Sequence, residues 1–208
     1  MTAYSFKYDG LEWKTARMVH SALIYGLKPN TKYLTKVFYN NQYWTNGIYK
    51  TLPSDPSIPI RMINAGDSGY TEGAVNLSKI VATLNPDIFF MGGDIAYDDN
   101  MPACSYTWDS FLGMYGKITA TLGYMMPILV TVGNHDAGLN ELPGVNITVD
   151  NRGPGFLIYF PQHYDRNEKF QIVKQVPPVH RRRTVMDFTF SNVHYLLLDS
   201  GYMHEFHG

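Results

Sequence analysis

Three short turns hold the side chains with the most chemistry in this chain. They are Gly66-Asp67-Ser68-Gly69, Gly93-Asp94-Ile95-Ala96-Tyr97 and Gly133-Asn134-His135-Asp136, in that order. Between them they offer carboxylate, phenolate, amide and imidazole donors, a set that suits hard or borderline metal ions. An isolated Asp beside Gly is common in ordinary turns, where the carboxylate bonds its own backbone. What points to chemistry is the repetition at equivalent places. Each turn closes an apolar run, at Ile60 to Ala65, Ile88 to Met91 and Pro127 to Val132. An apolar run ending in a Gly-bounded polar turn reads as a buried parallel strand feeding an open loop. Ligands of open α/β sheets collect outside the carboxyl ends of the strands, so the three turns are expected to converge.

The elements that must position these turns follow from periodicity. Gly73 to Leu84 places Val75, Leu77, Ile80, Val81 and Leu84 at helical spacing, and Asn85-Pro86 ends the pattern. Trp108 to Leu122 repeats the signal with Phe111, Leu112, Tyr115, Ile118 and Leu122. The resulting βαβαβ order predicts a parallel sheet with right-handed crossovers. Asp187 to Phe190 and His194 to Ser200 read as an antiparallel pair turning at Ser191-Asn192. Residues 1 to about 53 read as all-β, with strands at Val19 to Tyr25, Tyr33 to Tyr39 and Tyr43 to Thr51. Pro53 to Pro59 has the composition of a linker. We therefore divide the chain into residues 1–54 and residues 55–208.

With 208 residues and 45% hydrophobic content the chain can bury a sizeable core. A formal charge of −1, from 17 basic and 18 acidic residues, argues against nucleic acid or anionic membrane as a general partner. No apolar run approaches the roughly 18 residues of a membrane span. Cys104 is the sole cysteine, which excludes an intrachain disulfide, and it reads as a small packed residue. No signal peptide is visible after Met1. Two N-glycosylation sequons, Asn76-Leu77-Ser78 and Asn146-Ile147-Thr148, lean toward a secretory route. Arg181-Arg182-Arg183 reads as a solvated basic run, as do His20, His163, His180 and His194 as packing or surface groups. Tyr70 reads as an ordinary packed tyrosine near Asp67.

The ordered set of turns resembles the metallophosphoesterase superfamily, and Tyr97, in Gly93-Asp94-x-x-Tyr97, narrows the resemblance to purple acid phosphatases. Leu27 to Tyr33 also resembles the tyrosine corner of a fibronectin type III domain, in which a Tyr hydroxyl bonds back to the backbone. The resemblance, from about Val19 to Ser200, implies an α/β fold: an incomplete metallophosphoesterase-type α/β sandwich behind a partial fibronectin type III-like β-sandwich. It implies a dinuclear centre of Fe(III) with Zn(II), Mn(II) or Fe(II), in which Asp67, Asp94, Tyr97 and Asn134 are ligands and Asp94 bridges. Phosphate monoesters would then be hydrolysed by metal-bound hydroxide. His135 is expected to contact the phosphate, with Asp136, where the family commonly has Glu, orienting it.

The resemblance further implies a small phosphate ester as substrate and a secreted, vesicular or lysosomal location, and leaves homo-oligomer formation open. The family's Val-x-x-His and Gly-His-x-His motifs do not follow Ser200, and His204-Glu205-Phe206-His207 does not match them. The chain is accordingly expected to be a fragment, inactive as it stands. The alternatives are a phosphodiesterase or nucleotide pyrophosphatase on the same fold, or a non-catalytic secretory binding protein if Gly208 is a true terminus.

Overall fold

The computed structural model describes residues 2–8, 17–24, 26–99, 106–137, 155–160 and 184–199. Cys104, the sequon at Asn146, Arg181 to Arg183, His163, His180 and the His204 to His207 stretch lie outside them. The fold is mixed α/β. Four strands come first: β1 (Thr2–Tyr8), β2 (Arg17–Leu23), β3 (Lys32–Tyr39) and β4 (Gln42–Lys50). They pair antiparallel as β1 with β2 and β3 with β4. Strand β1 was not among the expected strands. The β3–β4 turn places Asn40 and Asn41 at φ of 48° and 60°, left-handed values that Asn tolerates. Ahead of β3, the Lys28 backbone N–H donates to the Tyr33 hydroxyl oxygen at 2.7 Å, the local bond expected of the tyrosine corner.

The parallel sheet is β5 (Met62–Ala65), β6 (Ile88–Met91) and β7 (Ile128–Val130), in that spatial order. Helix α1 (Glu72–Thr83) connects β5 to β6, and α2 (Tyr106–Leu122) lies between β6 and β7. The Thr71 side chain caps α1 by accepting from the Ala74 N–H. Short helices α3 (Asn134–Ala137) and α4 (Gly155–Tyr159) follow, then the hairpin β8 (Met186–Phe190) and β9 (Val193–Leu197).

The core lies between β6 and α2. Phe89 stacks on Tyr115, and Met91, Val130, Trp108, Phe111 and Ile118 are buried around them. Strand side chains alternate in direction, so Phe90 faces the other side. There it stacks on Tyr195 and Phe188 at ring separations of 5.3 and 6.3 Å, which places the β8–β9 hairpin opposite α2. A cavity of about 340 Å³, lined by Met62, Asn64, Phe90, Thr131 and Tyr195 among others, lies between hairpin and sheet. Strand β5 departs from the buried strand expected: Met62, Asn64 and Ala65 are exposed, because β5 is an edge strand with a lightly covered face.

Strand β4 is latched to this α/β unit. The Met125 N–H donates to the Ile48 carbonyl at 2.5 Å, and Lys50 Nζ pairs with Asp87 Oδ1 at 2.7 Å. Lys32 and Lys50 both lie over the Tyr124 ring, at 5.3 and 5.5 Å from its centre.

Candidate metal-binding and phosphate site

The three turns meet at the carboxyl ends of β5, β6 and β7. The first lies along the second through three backbone bonds: Asp67 N–H to Gly93 O, Ser68 N–H to Asp94 O and Gly69 N–H to Ile95 O, at 2.9 to 3.2 Å. The third is tied to the second through side chains. Asp94 Oδ1 accepts the His135 backbone N–H at 3.0 Å, and Asp136 accepts from Ile95 through Oδ1 and from Gly133 through Oδ2, both at 2.9 Å. Two glycines make this approach feasible. A Cβ on Gly133 would lie 2.1 Å from Asp94 Oδ1, and Gly93 adopts φ +95° against the Gly133 backbone. Asp67, Asp94 and Tyr97 all have left-handed φ, between 49° and 56°.

Among the predicted ligands, Tyr97 and Asp67 come together directly. The phenol donates to Asp67 Oδ1 at 3.1 Å. Burial first, then this hydrogen bond and the nearby carboxylates, push the phenol up to about 12, so at neutral pH it keeps its proton. A cation held by both oxygens would replace that proton. The donor set is hard oxygen, which fits a trivalent or divalent ion. Among the described residues, no group of three His, Cys, Asp or Glu side chains is arranged to hold a metal. The pair that fits is therefore one carboxylate and one phenol, with Asp94 adjoining. Asn134 heads α3, half-buried, one residue before His135.

His135 stands against the Tyr97 ring, with centroids 4.5 Å apart. Its Nδ1 pairs with Asp99 Oδ1 at 2.6 Å. The orienting carboxylate expected at Asp136 is supplied by Asp99. Asp136 is fully buried, with both oxygens taken by backbone amides, so its role is to fasten the second turn to the third. Burial outweighs those amides and pushes its carboxyl up to about 6. The Asp99 bond, against burial, raises His135 above the usual imidazole range. Sequence reasoning missed Asp99. It lies two residues beyond Tyr97, and only its left-handed backbone, φ 49°, swings it toward the third turn. Tyr70 is about half exposed and meets Tyr106 edge-on, not packed as expected. His194 is exposed on β9, bonded to Thr189 and Asp187, and His20 meets the edge of Tyr39.

No protein-family model matches the chain. It is similar to purple acid phosphatases of Arabidopsis thaliana. Purple acid phosphatase 21 is 34% identical over 118 residues, 57% of this chain and 24% of that protein. Probable purple acid phosphatase 20 is 30% identical over 152 residues, covering 67% and 32% respectively. Purple acid phosphatase 15 is 25% identical, covering 64% and 29%. The matched stretch thus spans about a quarter to a third of these relatives. A solved chain titled "Structure of PhoD" superposes on 87% of this chain and 39% of its own length, at 18% identity and a TM-score of 0.48. Across the stretch it shares with the plant proteins, the chain is purple acid phosphatase-like.

Proposed function

We propose that this chain forms part of a metal-dependent acid phosphatase acting on small phosphate monoesters. The observation that carries the reading is the meeting of Tyr97 and Asp67 beneath His135, with all three turns bonded together. In this reading Asp67 and Tyr97 hold Fe(III), and Asn134 holds Zn(II), Mn(II) or Fe(II), with Asp94 between the two. When bound, such a pair of ions polarises a phosphoryl oxygen and acidifies water.

The chain's own residues do the rest. The Asp94 carboxylate is fixed by the His135 amide, so it cannot swing away from the site. In this reading Asp99, paired with Nδ1, orients the His135 ring, and Nε2 is assigned to the phosphate. Protonated there, His135 can stabilise phosphate charge or give its proton to the departing oxygen. The raised His135 keeps that proton available in mildly acidic solution, which suits an acid phosphatase.

Residues 55–208 are then the first part of a metallophosphoesterase-type domain. The Lys28–Tyr33 bond supports a fibronectin type III-like segment over residues 1–54. Among the described residues no helix is long and apolar enough to cross a membrane. The two sequons support a secreted or vesicular glycoprotein. The test uses the product of the full-length transcript. Asp94→Ala should lose both metals and phosphatase activity together, and retention of full metal content would overturn the assignment. Tyr97→Phe should abolish visible charge-transfer absorption.

A further inference from the structure

Helix α1 carries apolar residues on two faces, and Ala74, Val75 and Val81 pack against the core. It buries Ser78 and Ala82, while Leu77, Ile80 and Leu84 are 64%, 55% and 50% exposed. Those three positions are spaced three and four apart, so they form one apolar stripe in solvent. Such a stripe normally has something lying over it. Asn76 is exposed at its edge, next to Leu77 and one turn before Ile80, and its Oδ1 accepts from Lys79 Nζ at 3.0 Å. Asn76-Leu77-Ser78 is also a complete glycosylation sequon.

We propose that Asn76 carries an N-linked glycan and that this glycan covers the Leu77, Ile80 and Leu84 stripe. The glycan is the one occupant that the sequence itself specifies on this face, and a protein partner would have to displace it. The carbon-bound hydrogens of its first sugars meet the aliphatic side chains and its hydroxyls face water. Transfer joins Asn76 Nδ2 to the anomeric carbon of a polyprenyl diphosphate-linked oligosaccharide. The bond from that carbon to the diphosphate oxygen breaks, the lipid diphosphate leaves with the electron pair, and Nδ2 gives up one proton. The timing is set by Ser78. Its hydroxyl, which the sequon requires, is buried in the fold and donates to the Val75 carbonyl at 2.7 Å. Modification therefore precedes docking of α1, on the nascent chain, and the folded protein is not an acceptor.

The inference rests on the secretory reading above, and the experiment separates the two. The full-length product is passed through the secretory pathway of plant or insect cells behind a leader, and the Asn76 peptide is mapped by mass spectrometry before and after peptide N-glycosidase in heavy-oxygen water. Asn76 is expected to be occupied in the wild type and in Ser78→Thr, and empty in Ser78→Ala. Hydroxyl-radical labelling of Leu77 and Ile80 should rise several-fold on enzymatic removal of the glycan, while labelling of Leu196 on the distant hairpin stays level. An empty Asn76 beside an occupied Asn146 overturns the site, and equal labelling of the stripe in both forms overturns the covering role. Protein from its native source with both sequons empty would overturn the secretory reading, and this proposal with it.

Discussion

Asp136 sets burial against hydrogen bonding, and the contest can be read in stability. Its carboxylate is fully buried and accepts at least two backbone amides, yet its folded value sits near 6 against an ordinary 3.8. A group raised in the fold binds its proton more tightly there than in the unfolded chain. The contribution is fully present below about 4, the unfolded value, and is lost as pH rises through about 6, where the folded carboxyl gives up its proton. A difference of about 2 units corresponds to about 3 kcal/mol. Asp136→Asn removes this titration. The Asn oxygen can still accept one amide, but its NH2 group faces the other, which costs about 1–3 kcal/mol. The variant should thus be the less stable protein near pH 4 and should draw level with, or overtake, wild type by pH 7. Urea unfolding of the metal-free proteins at both pH values measures the difference, in which other titrating groups largely cancel. If the gap between the two stays constant within about 1 kcal/mol, or widens with pH, the amides outweigh burial and the reasoning fails.

Gly133→Ala should be among the most damaging substitutions in the site, since its methyl would meet Asp94 Oδ1 and the Asp94 amide at 2.1 and 2.3 Å. We expect a loss of about 3 kcal/mol or more, read by thermal unfolding, along with weakened metal uptake read by isothermal titration. Asp99→Asn should leave metal content intact and lower the catalytic constant by about 10-fold. Because Asp99 raises His135, the limb of the pH–rate profile that belongs to His135 should also move to lower pH, a shift that a purely structural role would not produce. Lys50→Met should cost only about 1 kcal/mol in chemical denaturation, since the ion pair with Asp87 is partly exposed and its stem still covers Tyr124.

The long-period features were legible in the sequence. Helix α2 and strand β6 stand where their apolar spacing places them, because burial on one face dictates that spacing. The three turns meet as expected because parallel strands of one sheet end together. What escaped was conformational and tertiary. The left-handed backbone at Asp94, Tyr97 and Asp99 has no signature in residue type, yet it delivers Asp99 to His135. Nothing local marks Asp136 as fully buried, since its acceptor role depends on amides of another turn. The apolar residues of α1 announced a helix but not which of them would face water: Leu77, Ile80 and Leu84 do, while Val75 and Val81 pack inward beside Ser78 and Ala82.

The latch between β4 and the α/β unit has a geometric consequence. Asp87 and Met125 stand just before β6 and β7, at the amino ends of those strands, whereas Asp94 and Asn134 follow the carboxyl ends. The four residues of β6 separate the two ends by about 13 Å, so the β3–β4 hairpin is fastened to the amino-terminal end of the sheet, away from the three turns. That makes the hairpin a natural attachment point. An affinity tag, a fluorophore or a surface linker placed at the Asn40-Asn41 turn would immobilise the protein without touching the three turns.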